Sequence, residues 1–145
     1  MTIRRATKDD QELIRELWTA FEAELPGPAY LRETWDEAWS DLAQTMRDGV
    51  ALIAEEEGTA VGFVFCVLGD RGRKTAHVTD IYVQPDARNK GVGRALLAGI
   101  LEPASSAGSA SGLRIGSSRA IWRGLRPGPP VTSAYVRRCS RSTLR

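Results

Sequence analysis

The run Val83-Gln84-Pro85-Asp86-Ala87-Arg88-Asn89-Lys90-Gly91-Val92-Gly93-Arg94-Ala95-Leu96-Leu97 holds the residues best suited to chemistry. It reads as the end of a strand, a short polar loop, and two glycines that open a helix. Gly91 and Gly93 let the main chain approach a ligand with no Cβ in the way. The amides around them are helix-start donors aimed together at an anion. Arg88, Lys90 and Arg94 add positive charge at the same point. A diphosphate suits such a site. The plain alternative is a glycine-containing loop that merely starts a helix, but the preceding strand, the flanking cations and the apolar helix behind favour the phosphate reading. Two other phosphate motifs are excluded. The chain has no G-x-x-x-x-G-K-[ST], and no G-x-G-x-x-G after an early strand with an acidic partner downstream.

Two titratable residues, His77 and Asp80, lie on the strand before this loop. They are three positions apart, so a regular strand points them to opposite faces. His77 is the chain's single histidine, and an unperturbed imidazole titrates near neutrality. For both, a solvated strand residue is the plain alternative to a proton acceptor. Trp35 and Trp39, one helical turn apart near Glu33, Asp36 and Glu37, read first as core packing. Cys66 shares a buried-looking strand with Phe63, Phe65 and Val67 and reads as inert filling. Glu55-Glu56-Glu57 is a solvated strand end and turn.

Periodicity supplies the elements that position these residues. Thr2 to Thr7 alternates as a short strand, and Thr7 can cap a helix whose positive start suits Asp9 and Asp10. Leu13, Ile14, Leu17, Trp18, Phe21 and Leu25 recur at steps of three and four. This predicts a helix from Lys8 to Leu25, ended by Pro26-Gly27-Pro28. A second helix is predicted from Tyr30 to Arg47, with Leu31, Trp35, Ala38, Trp39, Leu42 and Met46 on one stripe. Val50–Glu56, the turn Glu57-Gly58 and Ala60–Leu68 form a hairpin. After a polar connection from Gly69 to Lys74, the next strand runs from His77 to Val83. Val92, Ala95, Leu96, Ile100 and Leu101 stripe a helix from Gly91 to Leu101.

The composition divides the chain. Residues 1–102 carry all 18 acidic residues and 12 of the 20 basic ones, a balance of −6; residues 103–145 carry eight Arg and no Asp, Glu or Lys, a balance of +8. That tail also holds nine Ser, five Gly and four Pro, and it reads as disordered or unstably structured. Leu113-Arg114-Ile115 and Ala134-Tyr135-Val136 are stubs of strand within it. The basic excess sits in one segment that lacks interleaved aromatics, so the sequence pI of 8.7 does not argue for a nucleic-acid partner. No run of about eighteen apolar residues is present, and a membrane span is not expected. The charged N-terminus has no apolar leader segment, and Cys66 and Cys139 match neither a disulfide framework nor a metal cluster. A reducing cytoplasm and the absence of a metal are therefore expected.

Arg88-Asn89-Lys90-Gly91-Val92-Gly93 matches the R/Q-x-x-G-x-G/A signature of the GNAT superfamily of acetyl-CoA-dependent N-acetyltransferases. Asp80-Ile81-Tyr82-Val83-Gln84-Pro85 resembles the strand before that signature, and Ile3-Arg4-Arg5-Ala6-Thr7 with Asp9-Asp10 resembles the usual start. The resemblance covers residues 2–102. It implies an α+β fold: a mixed, mostly antiparallel central sheet flanked by helices. It further implies that the amides from Arg88 to Arg94 hold the pyrophosphate of acetyl-CoA, and that Ile81, Tyr82 and Val83 pair with the pantetheine arm. An amine of a small molecule or peptide would then attack the acetyl group directly. Asp80 or His77 would accept the amine's proton, as carboxylates or imidazoles on this strand do in some members. The second helix, with Trp35 and Trp39, would border the acceptor pocket.

The chain departs from the family after residue 102. The family's closing strand–helix–strand is missing or degenerate here, and Tyr135 lacks the surroundings of the tyrosine that many members use on the leaving thiolate. The chain therefore divides into a GNAT part, 1–102, and an atypical Arg/Ser/Gly/Pro-rich tail, 103–145. A reading-frame shift near residue 103 is one account of the boundary. A clean frame in the DNA around codon 103, with no alternative frame encoding strand–helix–strand, would remove it. Two functions follow: an N-acetyltransferase, or a truncated GNAT-like domain that binds CoA or a partner without catalysis. A homodimer could supply a missing strand.

Overall fold

The computed structural model describes residues 1–24, 33–70, 74–106 and 113–114. Strand β1 (Thr2–Arg5) leads through a 3-10 turn at Lys8–Asp10 into helix α1 (Gln11–Glu24). The turn holds because Asp10 Oδ2 accepts the Thr7 N–H at 2.8 Å while the Asp10 N–H donates to the Thr7 carbonyl at 3.0 Å. Helix α2 spans Trp35–Asp48 and starts later than its apolar stripe predicts. Thr34 caps it: the Thr34 N–H donates to Glu37 Oε2 at 2.9 Å, and the Glu37 N–H donates to Thr34 Oγ1 at 3.4 Å. The predicted helical residues Tyr30 to Arg32 lie outside the described residues.

Strands β2 (Val50–Glu56), β3 (Thr59–Asp70) and β4 (Lys74–Val83) follow as an antiparallel meander, with β1 on the outer edge of β2. Glu57 and Gly58 take φ of 50° and 78°, the pair of positive values a two-residue hairpin turn needs. The β3–β4 hairpin runs further into its polar end than side-chain pattern predicts, because main-chain pairing continues through Gly69↔Thr75 and Asp70↔Lys74. On the other edge of β4, β5 (Leu113–Arg114) pairs in parallel with Ala76 and His77. The sheet order is β1-β2-β3-β4-β5, mixed and mostly antiparallel as the resemblance implies. The expected stub at residues 113–115 thus joins the sheet at Leu113 and Arg114, while the stub at 134–136 lies outside the described residues.

Both faces of the sheet are covered, which is why β2 reads as an unbroken apolar run, VALIA. Val50, Leu52 and Ala54 turn to one face and pack with Val64, Cys66, Val78 and Ile81 against helix α3 (Val92–Ser106). Ala51 and Ile53 turn to the other and pack with Phe63, Phe65 and Tyr82 against Ile14, Leu17, Phe21 and Leu42 of α1 and α2. Trp35 and Trp39 pack against this second cluster, their rings 5.4 Å apart, with Trp35 also 5.5 Å from Trp18. Helix α3 crosses the compositional boundary at residue 102 and continues past Pro103, a residue that cannot donate to the carbonyl four positions back.

One irregularity overturns a sequence expectation. Cys66 pairs with Val78 but Phe65 pairs with Asp80, so Thr79 is an extra residue bulged out of β4. The bulge shifts the alternation by one. Asp80 lies opposite Phe65 and His77 opposite Val67, two β3 positions on the same face, so His77 and Asp80 share a face. It is the face covered by α1 and α2. Among the described residues no helix is long and apolar enough to cross a membrane.

Candidate functional site

The end of β4 and the start of α3 are joined by a short, tightly bonded loop. The Gln84 N–H donates to the Val61 carbonyl at 2.8 Å, which fixes the strand's exit to β3. A 3-10 turn at Pro85–Ala87 follows, with the Ala87 N–H on the Gln84 carbonyl at 3.0 Å and the Arg88 N–H on the Pro85 carbonyl at 3.2 Å. Ala87 is buried, so the turn is anchored in the core. Asn89 and Gly91 then adopt φ of 63° and 87°. Asn tolerates this left-handed region; at Gly91 a Cβ would meet nothing within 4 Å, so backbone conformation rather than crowding calls for glycine.

The first bond of α3 runs from the Ala95 N–H to the Gly91 carbonyl at 3.0 Å. The amides of Gly91, Val92, Gly93 and Arg94 therefore have no acceptor within the helix. They are gathered in the first turn, where the helix dipole adds positive potential. Lys90 and Arg94 are exposed beside them, while Val92 and Gly93 are buried and hold the turn against the sheet. This donor set fits a linked pair of phosphates, since it offers adjacent main-chain N–H groups and cations at one end of a sheet.

Arg88 behaves differently from the other predicted anion ligands. Its amide is used inside the loop, and its side chain turns back into the protein. Nε donates to the Val83 carbonyl at 2.9 Å, and one terminal nitrogen donates to both oxygens of Glu24 at 2.8 and 2.7 Å. The guanidinium lies over the Tyr82 ring, 5.7 Å from its centroid, and the Tyr82 hydroxyl donates to Glu24 Oε1 at 3.0 Å. Burial, with the Glu24 carboxylate beside it, pushes the Tyr82 phenol up to about 12. Glu24 is the residue that sequence reasoning misses: it stands 64 positions from Arg88, and no local pattern marks it.

The remaining predicted residues fall around this end of the sheet. Ile81 and Tyr82 are buried on opposite faces, and Val83 is half-buried at the strand's exit. His77 and Asp80 are half-buried on the α1/α2 face. Cys66 is buried on the α3 face, and burial pushes its thiol up to about 12, as inert filling requires. No group of three or more His, Cys, Asp or Glu that could hold a metal occurs among the described residues.

Comparison with known proteins gives the geometry its context. The acetyltransferase (GNAT) family model matches residues 11–116. An uncharacterised N-acetyltransferase of Methanocaldococcus jannaschii is 29% identical over 111 residues, 74% of this chain; the chain spans 49% of that relative's length. The crystal structure of a ribosomal-protein-alanine N-acetyltransferase from Brucella melitensis biovar Abortus is 27% identical with a TM-score of 0.67, over 95% of this chain and 99% of that one. A Salmonella typhimurium protein solved with its cofactor acetyl-CoA is also 27% identical, with a TM-score of 0.61 over 74% of this chain and 65% of that one. The family match runs from α1 through the loop between β4 and α3 and on as far as β5, and on that ground the chain belongs to the acetyltransferase (GNAT) family.

Proposed function

We propose that the chain is an N-acetyltransferase whose co-substrate is acetyl-CoA and whose acceptor is a primary amine on a small molecule or peptide. One observation carries this reading. The amides of Gly91 to Arg94 precede the first bond of α3 and converge beside exposed Lys90 and Arg94 at the exit of β4. The acetyl-CoA held by the Salmonella protein favours this group over another diphosphate.

When bound, acetyl-CoA supplies an acetyl group as a thioester, open to attack by a neutral amine. The chain's own residues divide the remaining work. The amides from Gly91 to Arg94 hold the diphosphate, and Lys90 and Arg94 offset its charge. Main-chain groups of Ile81, Tyr82 and Val83 take the extended pantetheine arm as a strand edge takes a peptide. A main-chain N–H near Val83 polarises the acetyl carbonyl as negative charge gathers on its oxygen. Asp80 and His77, brought to one face by the bulge at Thr79, are the candidates to accept the amine's proton, directly or through water. Orientation of the two substrates contributes much of the rest.

Calorimetry with acetyl-CoA, followed by thiol release across a panel of amines, tests the reading. Peptide N-termini belong on that panel, because the Brucella relative is named for a ribosomal-protein alanine. Binding with thiol release for at least one amine is expected, and absence of binding overturns the proposal. Binding with no release for any amine supports instead a CoA-binding domain without catalysis, the reading that the composition of the tail favours.

A further inference from the structure

The Glu24 carboxylate ties three parts of the chain together. It closes the last turn of α1, accepts from the Tyr82 hydroxyl on β4, and accepts twice from Arg88 in the loop. Arg88 in turn has three engaged surfaces. One terminal nitrogen faces Glu24, Nε faces the Val83 carbonyl, and the guanidinium plane faces the Tyr82 ring. Its side chain is 14% exposed, so the charge presented to solvent at the helix start comes from Lys90 and Arg94.

The Val83–Gln84 peptide is therefore gripped at both ends. Arg88 Nε donates to its carbonyl at 2.9 Å, and its N–H donates to the Val61 carbonyl at 2.8 Å. This peptide is the last of β4 and the first of the anion loop. Its orientation sets the direction in which the loop leaves the sheet, and with it where the amides of Gly91 to Arg94 point. A guanidinium is suited to the task, because its planar fork can bind a carboxylate on one edge and a carbonyl on the other at fixed angles.

We propose that Glu24 and Arg88 act as one positioning unit that orients the Val83–Gln84 peptide for acetyl-CoA binding, and that Arg88 is not itself a phosphate ligand. The proposal rests on the acetyl-CoA reading above and adds two positioning residues to it. It has an unusual corollary. Removing Glu24 releases a cation next to an anion site yet weakens anion binding, since the released arginine no longer holds the peptide.

The test compares acetyl-CoA binding by calorimetry for Glu24→Ala, Arg88→Ala and the double variant, with the carbonyl carbon resonance of Val83 as the local readout. Each single variant is expected to bind about tenfold more weakly, the double variant no more weakly than either, as for two residues of one unit. The Val83 resonance is expected to move alike in both. Glu24→Gln, which keeps one acceptor for Arg88, is expected to restore part of the affinity. Wild-type or tighter binding by Glu24→Ala, with weak binding by Arg88→Ala, makes Arg88 a direct phosphate ligand and overturns the proposal. Additive losses overturn it as well. Should Arg88→Ala fail to fold, Glu24→Ala and Glu24→Gln decide by the same criteria. A wild-type chain that binds no acetyl-CoA defeats the functional reading instead; the Val83 resonance in Glu24→Ala then decides the positioning unit alone, and an unmoved signal overturns it.

Discussion

Arg4 and Arg88 clamp opposite ends of helix α1. Arg4, on β1, donates Nε to Glu55 at 2.8 Å and both terminal nitrogens to Asp10, at 2.9 and 2.7 Å, just ahead of the helix. Arg88 grips Glu24 in the helix's last turn at 2.7 and 2.8 Å. The two clusters use the same groups at similar distances, although the Arg4 side chain is 34% exposed and that of Arg88 14%. They differ in what the remaining donor touches. Around Arg4, every partner belongs to the frame: β1, β2 and the turn before α1. Around Arg88, Nε reaches the Val83 main-chain carbonyl, from which the loop between β4 and α3 departs. An arginine paired with carboxylates does not mark a site by itself; the third partner does.

Removing each arginine separates the two roles most strongly. Arg4→Ala leaves two carboxylates without their cation and is expected to cost about 2 kcal/mol, read as a lower Tm, with acetyl-CoA affinity unchanged. Arg88→Ala is expected to cost comparable stability and in addition to weaken acetyl-CoA about tenfold, as loss of a positioning interaction does. Equal losses of affinity from both variants would erase the distinction.

A second pair of substitutions sharpens it. Gly58 and Gly91 both have positive φ, 78° and 87°, and at both a Cβ would meet open space. Alanine at either position is expected to cost about 1 kcal/mol of backbone strain, measured by denaturant unfolding. Only Gly91→Ala is expected to weaken acetyl-CoA binding, because only there does the strained residue carry the donors.

Tyr82→Phe removes the hydroxyl from Glu24 and keeps the ring under Arg88. A loss of about 1 kcal/mol is expected, with acetyl-CoA affinity reduced by less than Arg88→Ala reduces it. The smallest effect is acid sensitivity at the Arg4 end. The Arg4 guanidinium, through its hydrogen bonds, holds the Asp10 carboxyl down at about 2 from an ordinary 3.8. A depressed carboxyl stabilises the fold fully above its unfolded value, and that contribution fades as pH falls from 3.8 towards about 2. Asp10→Asn should flatten this part of the Tm-against-pH curve by under about 1 kcal/mol.

Much of this architecture is legible in local pattern. The hairpin turn at Glu57-Gly58, the strand ending at Val83 and the glycines opening α3 each carry their own chemical signal, and each lies where that signal points. The start of α2 is also written in the chain, as Thr34-x-x-Glu37, although the apolar stripe from Leu31 draws attention upstream of it. Other features have no local signal. The bulge at Thr79 involves neither Gly nor Pro, so alternation alone sends His77 and Asp80 to opposite faces when the register brings them to one. The reach from Glu24 to Arg88 depends on how α1 packs across β4, which no spacing in the sequence encodes.

Binding of a diphosphate by the helix-start amides is tested most directly by a titration of ¹⁵N-labelled protein with acetyl-CoA followed by amide resonances. Saturable shifts centred on Val92, Gly93 and Arg94 are predicted, with the Asp10 and Glu55 amides of the Arg4 cluster still. Shifts spread evenly over the surface, or none at all from Gly91 to Arg94, would contradict it.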